Sequence, residues 1–538
     1  MQRALLPPKV SRHCHDMPSL HHNKIPVSDF KPVCGVNSAP SQLWYIDRNP
    51  KSIMALHNLS KWMRACETHP VCVGSGFALL PDRCIRVGTK SLPRVRLYES
   101  SSNETGSYLA LSYVWGGYSS YVLKQSSYHS FKRQMDEQTM PKTYQDAIFL
   151  ARQLDVPYVW IDALCIIQDD PGDWEAQSAK MANVYGNAYL TICASRSSSA
   201  LEGFLTQRLA SHVLCGESGS SNNSQAAYLF RSPHPHLNQR YSTSEPITSR
   251  AWCVQERVLS PRKVHFCSRG TIWECRTTML SEQGDEYVPS TKAFASFVEG
   301  GAVDRWAEIL SEYTGCHLTI ESDRLPALSG IASRFASATG DEFLSGHWLS
   351  QLPLSLLWHR GYSRLRLARS YRAPSWAWPS VEGRIMLYTL DQQLLLEILG
   401  YECKSAGPNP FGNVANAWLK VRGPLISIEA SALEAASLEQ RPHIFYHCEF
   451  KISLAGCTSE VDASIALDMP MNATIVHLLV VARDINAEAN LTGKHCYNCV
   501  ILTSNMSQSD TYSRVGMAII KCGPELSCGF AQHDMVLV

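Results

Sequence analysis

The sequence predicts an α/β protein: a parallel sheet with flanking helices in the first half of the chain, and a mixed α/β region behind it. Three observations predict this. Apolar runs without a solvated face recur at Tyr108–Tyr113 (YLALSY), Tyr158–Ile161 (YVWI) and Tyr189–Ala194 (YLTICA). Helical patterns separate them, each entered through a polar or glycine-bearing turn. Strand, helix, strand, helix, strand in close succession implies right-handed crossovers, a parallel sheet and cover on both of its faces.

Size and composition bound the rest. The chain has 538 residues, 45% of them hydrophobic and 18% charged, which is ample for at least two cores and too apolar for disorder. Lys and Arg number 49 against 48 Asp and Glu, so nothing draws the whole chain toward nucleic acid or an anionic membrane. Nineteen cysteines form an odd set in a long chain whose N-terminus carries no extended apolar stretch. No apolar run has membrane-spanning length. These features predict a cytoplasmic protein with reduced thiols.

Residues 1–40, rich in Pro, His and Ser, form an irregular lead-in. Over 41–99 a short helix (Leu59, Trp62, Met63, Cys66 on one face) precedes a Pro-bounded strand. The main domain occupies 100–280 and carries a polar insertion at 206–248. In it, Trp115-Gly116-Gly117 allows a tight backbone excursion after the first strand. Thr143–Leu154 reads as a helix opened by a Thr143/Asp146 capping box, with Tyr144, Ala147, Ile148 and Ala151 inward. A second helix, N-capped by Asp173, turns Trp174, Gln177, Met181, Val184 and Tyr185 to one side. Ser249–Leu259 is a third helix, and Val264–Cys275 a single alternating strand. The region 281–538 mixes helices (Val303–Tyr313, Leu325–Ala336), Trp/Pro turns at Ala373–Pro379 and β-like runs at Ile475–Val481, Cys499–Leu502 and Val515–Ile520.

Asp162 is the first site candidate. It ends the central strand, where open α/β sheets place their ligands, and either positions a substrate or hydrogen-bonds the amides of the next loop. Ser112, Tyr113, Trp115, Gly116 and Gly117 either line a nucleotide pocket or pack; they match neither GxGxxG nor a Walker loop. Arg250 and Arg262 either reach a phosphate or face solvent and ion partners. Cys66-x-x-His69-x-x-Cys72, with Cys84 further on, has a zinc-like composition. Its spacing fits no standard finger, and no metal is assigned. Cys165 reads as a buried thiol.

Three blocks, Tyr108–Gly117 (YLALSYVWGG), Tyr158–Ala194 and Arg250–Phe266 (RAWCVQERVLSPRKVHF), resemble in order and spacing the signature of the fungal heterokaryon incompatibility (HET) domain. Ala163 and Gln177 depart from the Ser and Glu frequent in that family, which argues against a catalytic role at either position. The resemblance implies fungal origin and nonself recognition ending in growth arrest or programmed cell death. It also implies a TIR/flavodoxin-like sheet: LSYVWGG resembles the first TIR strand and loop, and SRAWCVQE the TIR S-x-W-C-x-x-E helix. Through that likeness Glu256 becomes the key carboxylate of an NAD hydrolase, with Asp162 beside it and Ser112–Gly117 and Arg250 around the ligand. Such a site requires no cofactor, and NAD is its substrate. The plain alternative makes Glu256 a surface residue paired with Arg250 or Arg257. Protein partners, by self-association or through an incompatibility partner, are the expected company. The alternative function is a non-enzymatic interaction module.

Overall fold

The computed structural model describes residues 31–32, 48–72, 77–208, 212–218, 226–231, 245–282, 286–287, 302–361, 365–387, 392–431, 450–452, 461–468, 473–484, 495–505, 510–522 and 531–538. The chain divides into two compact units. The first holds Met1–Cys165, Asn187–Thr248 and Pro261–Ser290; the second holds Ile166–Gly186, Ser249–Ser260 and Thr291–Val538. Most of the expected lead-in over 1–40 lies outside the described residues, as do the central parts of the 206–248 insertion.

The first unit is built on a nine-stranded sheet. Its strands are β1 (Arg83–Arg86), β2 (Arg96–Glu99), β3 (Tyr108–Ser112), β4 (Tyr158–Trp160), β5 (Leu190–Cys193), β6 (Arg262–Cys267), β7 (Gly270–Cys275), β8 (Met279–Ser281) and β9 (Glu286–Tyr287). They are ordered β9-β8-β7-β6-β5-β3-β4-β1-β2. β4, β3, β5 and β6 run parallel, through pairs such as Ala110 with Trp160, Ser112 with Cys193 and Val264 with Ile192. By chain position this is the order 2-1-3-4 of the flavodoxin-like doubly wound sheets. β3, β5, β6 and β7 are buried along their whole length, and in β3 and β5 that burial shows as a lack of polar alternation. The stretch expected as a single strand over Val264–Cys275 is an antiparallel hairpin, reversing between Cys267 and Gly270.

Helix α1 (Ile53–Glu67) is N-capped by Ser52, whose hydroxyl accepts from the Ala55 amide, and it buries Leu59, Met63 and Cys66. Helix α2 (Lys142–Gln153) buries Tyr144, Ala147, Ile148 and Ala151 as its spacing requires. It has no capping box: Pro141 stands at the cap and makes no side-chain bond there. Asp146 is instead fully buried, accepting the amides of Phe204 and Leu205 at 3.0 Å each. Lys142 and Lys51 neutralise it at 2.9 and 3.0 Å. The insertion contributes an antiparallel pair, His212–Ser218 with Ala226–Arg231, and Lys31–Pro32 of the lead-in joins its edge.

In the second unit lie helices α4 (Pro171–Asn187, except its last residue), α5 (Ala251–Leu259), α6 (Ala302–Thr314) and α7 (Pro326–Thr339); the short α3 (Asp162–Cys165) closes the first-unit segment before them. The N-cap of α4 is Asp170 and not Asp173. Asp170 Oδ1 accepts the Gly172 and Asp173 amides at 3.0 and 3.1 Å, with Pro171 at the first helical position, where its missing N–H costs nothing. Asp173 lies inside the first turn and reaches back to the Ile167 amide at 2.8 Å. Behind α7 comes a sheet in which Ile475–Asp484, His495–Ser504, Thr511–Cys522, Gln532–Leu537 and Val414–Glu429 pair in a closed circuit. Closure removes the open edges of those five strands. One face gathers Ile426, Ile428, Val476, Leu478, Cys499 and Ile501 into a core. No helix among the described residues is long and apolar enough to cross a membrane.

Candidate functional site

The carboxyl ends of β3, β4 and β5 lie on one edge of the sheet, where a doubly wound order opens its crevice. Asp162 leaves β4 there. Its Oδ1 accepts the amide of Ala163 at 2.7 Å, and its Oδ2 accepts the indole N–H of Trp115 at 2.8 Å. The carboxylate is half-buried and carries a positioned donor on each oxygen. Trp115 thus does more than pack.

The loop from β3 gathers aromatic hydroxyls behind this pair. Tyr113 stacks on Trp115, with centroids 6.5 Å apart and 12° between planes, and its phenol shares a 2.9 Å hydrogen bond with that of Tyr144 on α2. Burial pushes the Tyr113 phenol well up, and the Asp162 charge and the Tyr144 phenol add to that. It therefore stays a neutral donor at working pH. Ser112 is buried, and its hydroxyl has no hydrogen-bond partner among the described residues. Gly116 and Gly117 both take left-handed backbone, φ +67° and +75°. A Cβ on Gly116 would stand 2.5 Å from that of Ser199, so only glycine lets this loop meet the loop after β5; Gly117 has open space. Sequence reasoning thus brought together Asp162, Ser112, Tyr113, Trp115, Gly116 and Gly117. It missed Tyr144, which the α2 face period had assigned simply to the core.

Arg250 and Glu256 fall in the other unit, at the start and in the middle of α5. Glu256 is no surface glutamate: it is 5% exposed, and Arg257 pairs with Glu312. Its neighbour Gln255 is fully buried and accepts the Gly330 amide of α7 at 2.7 Å. Trp252 donates its indole N–H to Asp323 at 3.0 Å and meets Trp174 of α4 edge-on. Three consecutive polar residues, Gln255–Arg257, buried on one short helix need satisfied partners to remain there. Such a helix is uncommon as mere packing.

Residues 108–256 match the family model described as heterokaryon incompatibility protein (HET). The chain carries a HET domain. No curated protein and no solved structure matches the chain. The HET match runs from the first residue of β3 to Glu256, so it takes in the Asp162 cluster and most of α5. It also takes in Cys165, whose thiol is fully buried and pushed up to about 12, inert as expected.

Two further features lie partly or wholly outside the HET match. In the second unit α4, α7 and the loop at 408–411 enclose about 520 Å³, with Glu175, Asn183 and Arg334 as polar lining. The volume suits a small ligand, but neither Arg250 nor Glu256 lines it. In the first unit Cys66, His69 and Cys72 are joined by Cys275 from the end of β7, all four ligand atoms lying within 4.8 Å of one another. Cys84 is not among them; it sits within β1, its thiol directed to the Pro81 carbonyl. Arg262 is neither solvated nor aimed at a phosphate. It is buried, with Nε donating to Cys66 Sγ at 3.3 Å and Nη2 to the Cys72 carbonyl at 3.0 Å.

Proposed function

We propose that this chain is a heterokaryon-incompatibility-type effector, acting in the cytoplasm of a fungus in nonself recognition and programmed cell death. We further propose that its HET domain works by hydrolysing NAD or a related nucleotide in a TIR-like site. The family match supports the first part. The second rests on one observation: Asp162 stands at the carboxyl edge of the parallel strands, with the Trp115 indole fixing its direction.

In this reading the ribose of the nucleotide lies against Asp162. When the nicotinamide–ribose bond breaks, nicotinamide leaves with the bonding pair and the anomeric carbon becomes cationic. The Asp162 carboxylate stabilises that charge, water adds to the carbon, and the proton released goes to solvent. Trp115 keeps the carboxylate oriented, while the exposed Gly116–Gly117 turn offers backbone amides to the phosphates. Activity is gated by self-association or by an incompatibility partner.

A second reading has its own observation: both Asp162 oxygens already accept protein donors, so the carboxylate can serve structure alone in an interaction module. Induced expression of the full chain in a filamentous fungus, with viability and the NAD pool followed together, separates the two. The enzyme reading expects growth arrest with a falling NAD pool, both abolished in Asp162→Asn. Arrest at constant NAD assigns the chain to the interaction module, and no arrest under any pairing overturns the effector role.

A further inference from the structure

We propose that Cys66, His69, Cys72 and Cys275 bind one zinc ion, a closed Cys3His site that ties α1 to the end of β7. Nothing in the chemistry of the HET match requires it; the four side chains carry the inference.

The local backbone presents the ligands from two turns. Past the end of α1 the amide of His69 donates to the Cys66 carbonyl at 3.1 Å, and that of Cys72 to the His69 carbonyl at 2.9 Å. Every third residue is thereby brought round to one side. The opposite wall is a second turn, closed by the Cys275 amide on the Thr278 carbonyl at 2.9 Å. A zinc tetrahedron with Zn–S bonds of about 2.3 Å has edges of about 3.8 Å. The ligand atoms are all within 4.8 Å of one another, and Cys275 Sγ is 3.5 Å from His69 Nδ1. Side-chain shifts of about 1 Å or less close the tetrahedron. None of the three cysteines is in a disulfide.

Each sulfur also has a hydrogen-bonding group beside it. Arg262 Nε reaches Cys66 at 3.3 Å, the Thr278 amide reaches Cys275 at 3.5 Å, and the Thr277 hydroxyl lies 3.9 Å from Cys72. Donors onto sulfur are the outer shell that stabilises metal-bound thiolates. The charges agree as well. Three thiolates, a neutral imidazole and Zn²⁺ leave a net charge of minus one, which the buried Arg262 guanidinium offsets. Four protein ligands leave no open position, so the ion is structural.

Metal analysis of the full chain, purified without added metal or chelator, tests this directly. One zinc per chain is expected. Cobalt exchanged into the site should show a thiolate-to-cobalt charge-transfer band and intense tetrahedral d–d bands. His69 is only half-buried, so His69→Ala should fold, as judged by circular dichroism, but lose its metal on dialysis against chelator. His69→Cys should restore retention, and Cys403→Ser, a control in the other unit, should retain it throughout. A wild-type chain without zinc and without the cobalt spectrum overturns the proposal. So does mass spectrometry that finds Cys66, Cys72 or Cys275 joined in a disulfide, or a His69→Ala chain that keeps its metal.

Discussion

Trp115 Nε1 lies 2.8 Å from Asp162 Oδ2, and this bond ties the loop leaving the first parallel strand to the end of the second. It fixes the carboxylate's direction in a cluster that also holds the Tyr113 and Tyr144 phenols. Trp115→Phe keeps most of the ring contact and removes only the donor. It should lower stability by about 2 kcal/mol, the usual worth of a hydrogen bond to a charged group. In the proposed mechanism it should also cut turnover by more than that loss of stability explains. Chemical denaturation and nicotinamide release, measured on the same preparation, check both.

The glycine pair should separate by position. Gly117→Ala meets open space and suffers only the left-handed backbone, about 1 kcal/mol. Gly116→Ala adds a collision with Ser199 Cβ and Cα at 2.5 and 2.6 Å, and should cost about 3 kcal/mol. Thermal melts of the two variants should rank them in that order; equal losses would mean that the two loops do not touch.

Asp146 organises the loop after β5 from the middle of α2. Asp146→Ala strands two buried amides, Phe204 and Leu205, and removes the counter-charge of Lys51 and Lys142. The lysines are partly exposed, which moderates the loss to about 3 kcal/mol. Urea unfolding should show it as a lower midpoint at unchanged slope.

His347 makes acid stability a test of the second unit. Its imidazole is fully buried, holds a 2.9 Å contact with the Ser355 hydroxyl, and packs against Trp376. Burial first, and the Arg514 charge second, hold it down to about 3. An unfolded chain takes up that proton near 6.5 and the folded chain does not. The stabilising effect is therefore complete above about 6.5 and is lost as the pH falls from there toward 3. Asp468, pushed up to about 6 by burial, acts with the opposite sign as the pH rises from 3.8 to 6. The difference between wild type and His347→Gln isolates the histidine. Between pH 6 and 4 the wild type should lose up to about 1.4 kcal/mol per pH unit more than the variant.

Much of the parallel core was legible because burial on both faces leaves a readable mark: Tyr108–Ser112, Tyr158–Trp160 and Leu190–Cys193 have no polar alternation. The β6–β7 hairpin was concealed because the alternation over Val264–Cys275 runs on through Ser268, Arg269 and Gly270, so two strands and a short turn read as one strand. Asp170 was recoverable. Pro171 marks the first helical position, so the residue before it is the cap. Asp146 was not, because a carboxylate three residues after Thr143 fits a capping box equally well, and only the returning loop at Phe204 decides its role. Cys275 stands 206 residues from His69, and no local spacing can announce it. Glu256 is a matter of environment. A glutamate between Gln255 and Arg257 reads as surface, and its burial follows from what packs around α5.

The most direct measurement is nicotinamide release from NAD by the purified full chain, free and forcibly oligomerised, compared with an Asp162→Asn variant of matching circular dichroism and melting temperature. Release by the oligomerised wild type and its loss in the variant are expected. Equal release from both, or none from either, would contradict it.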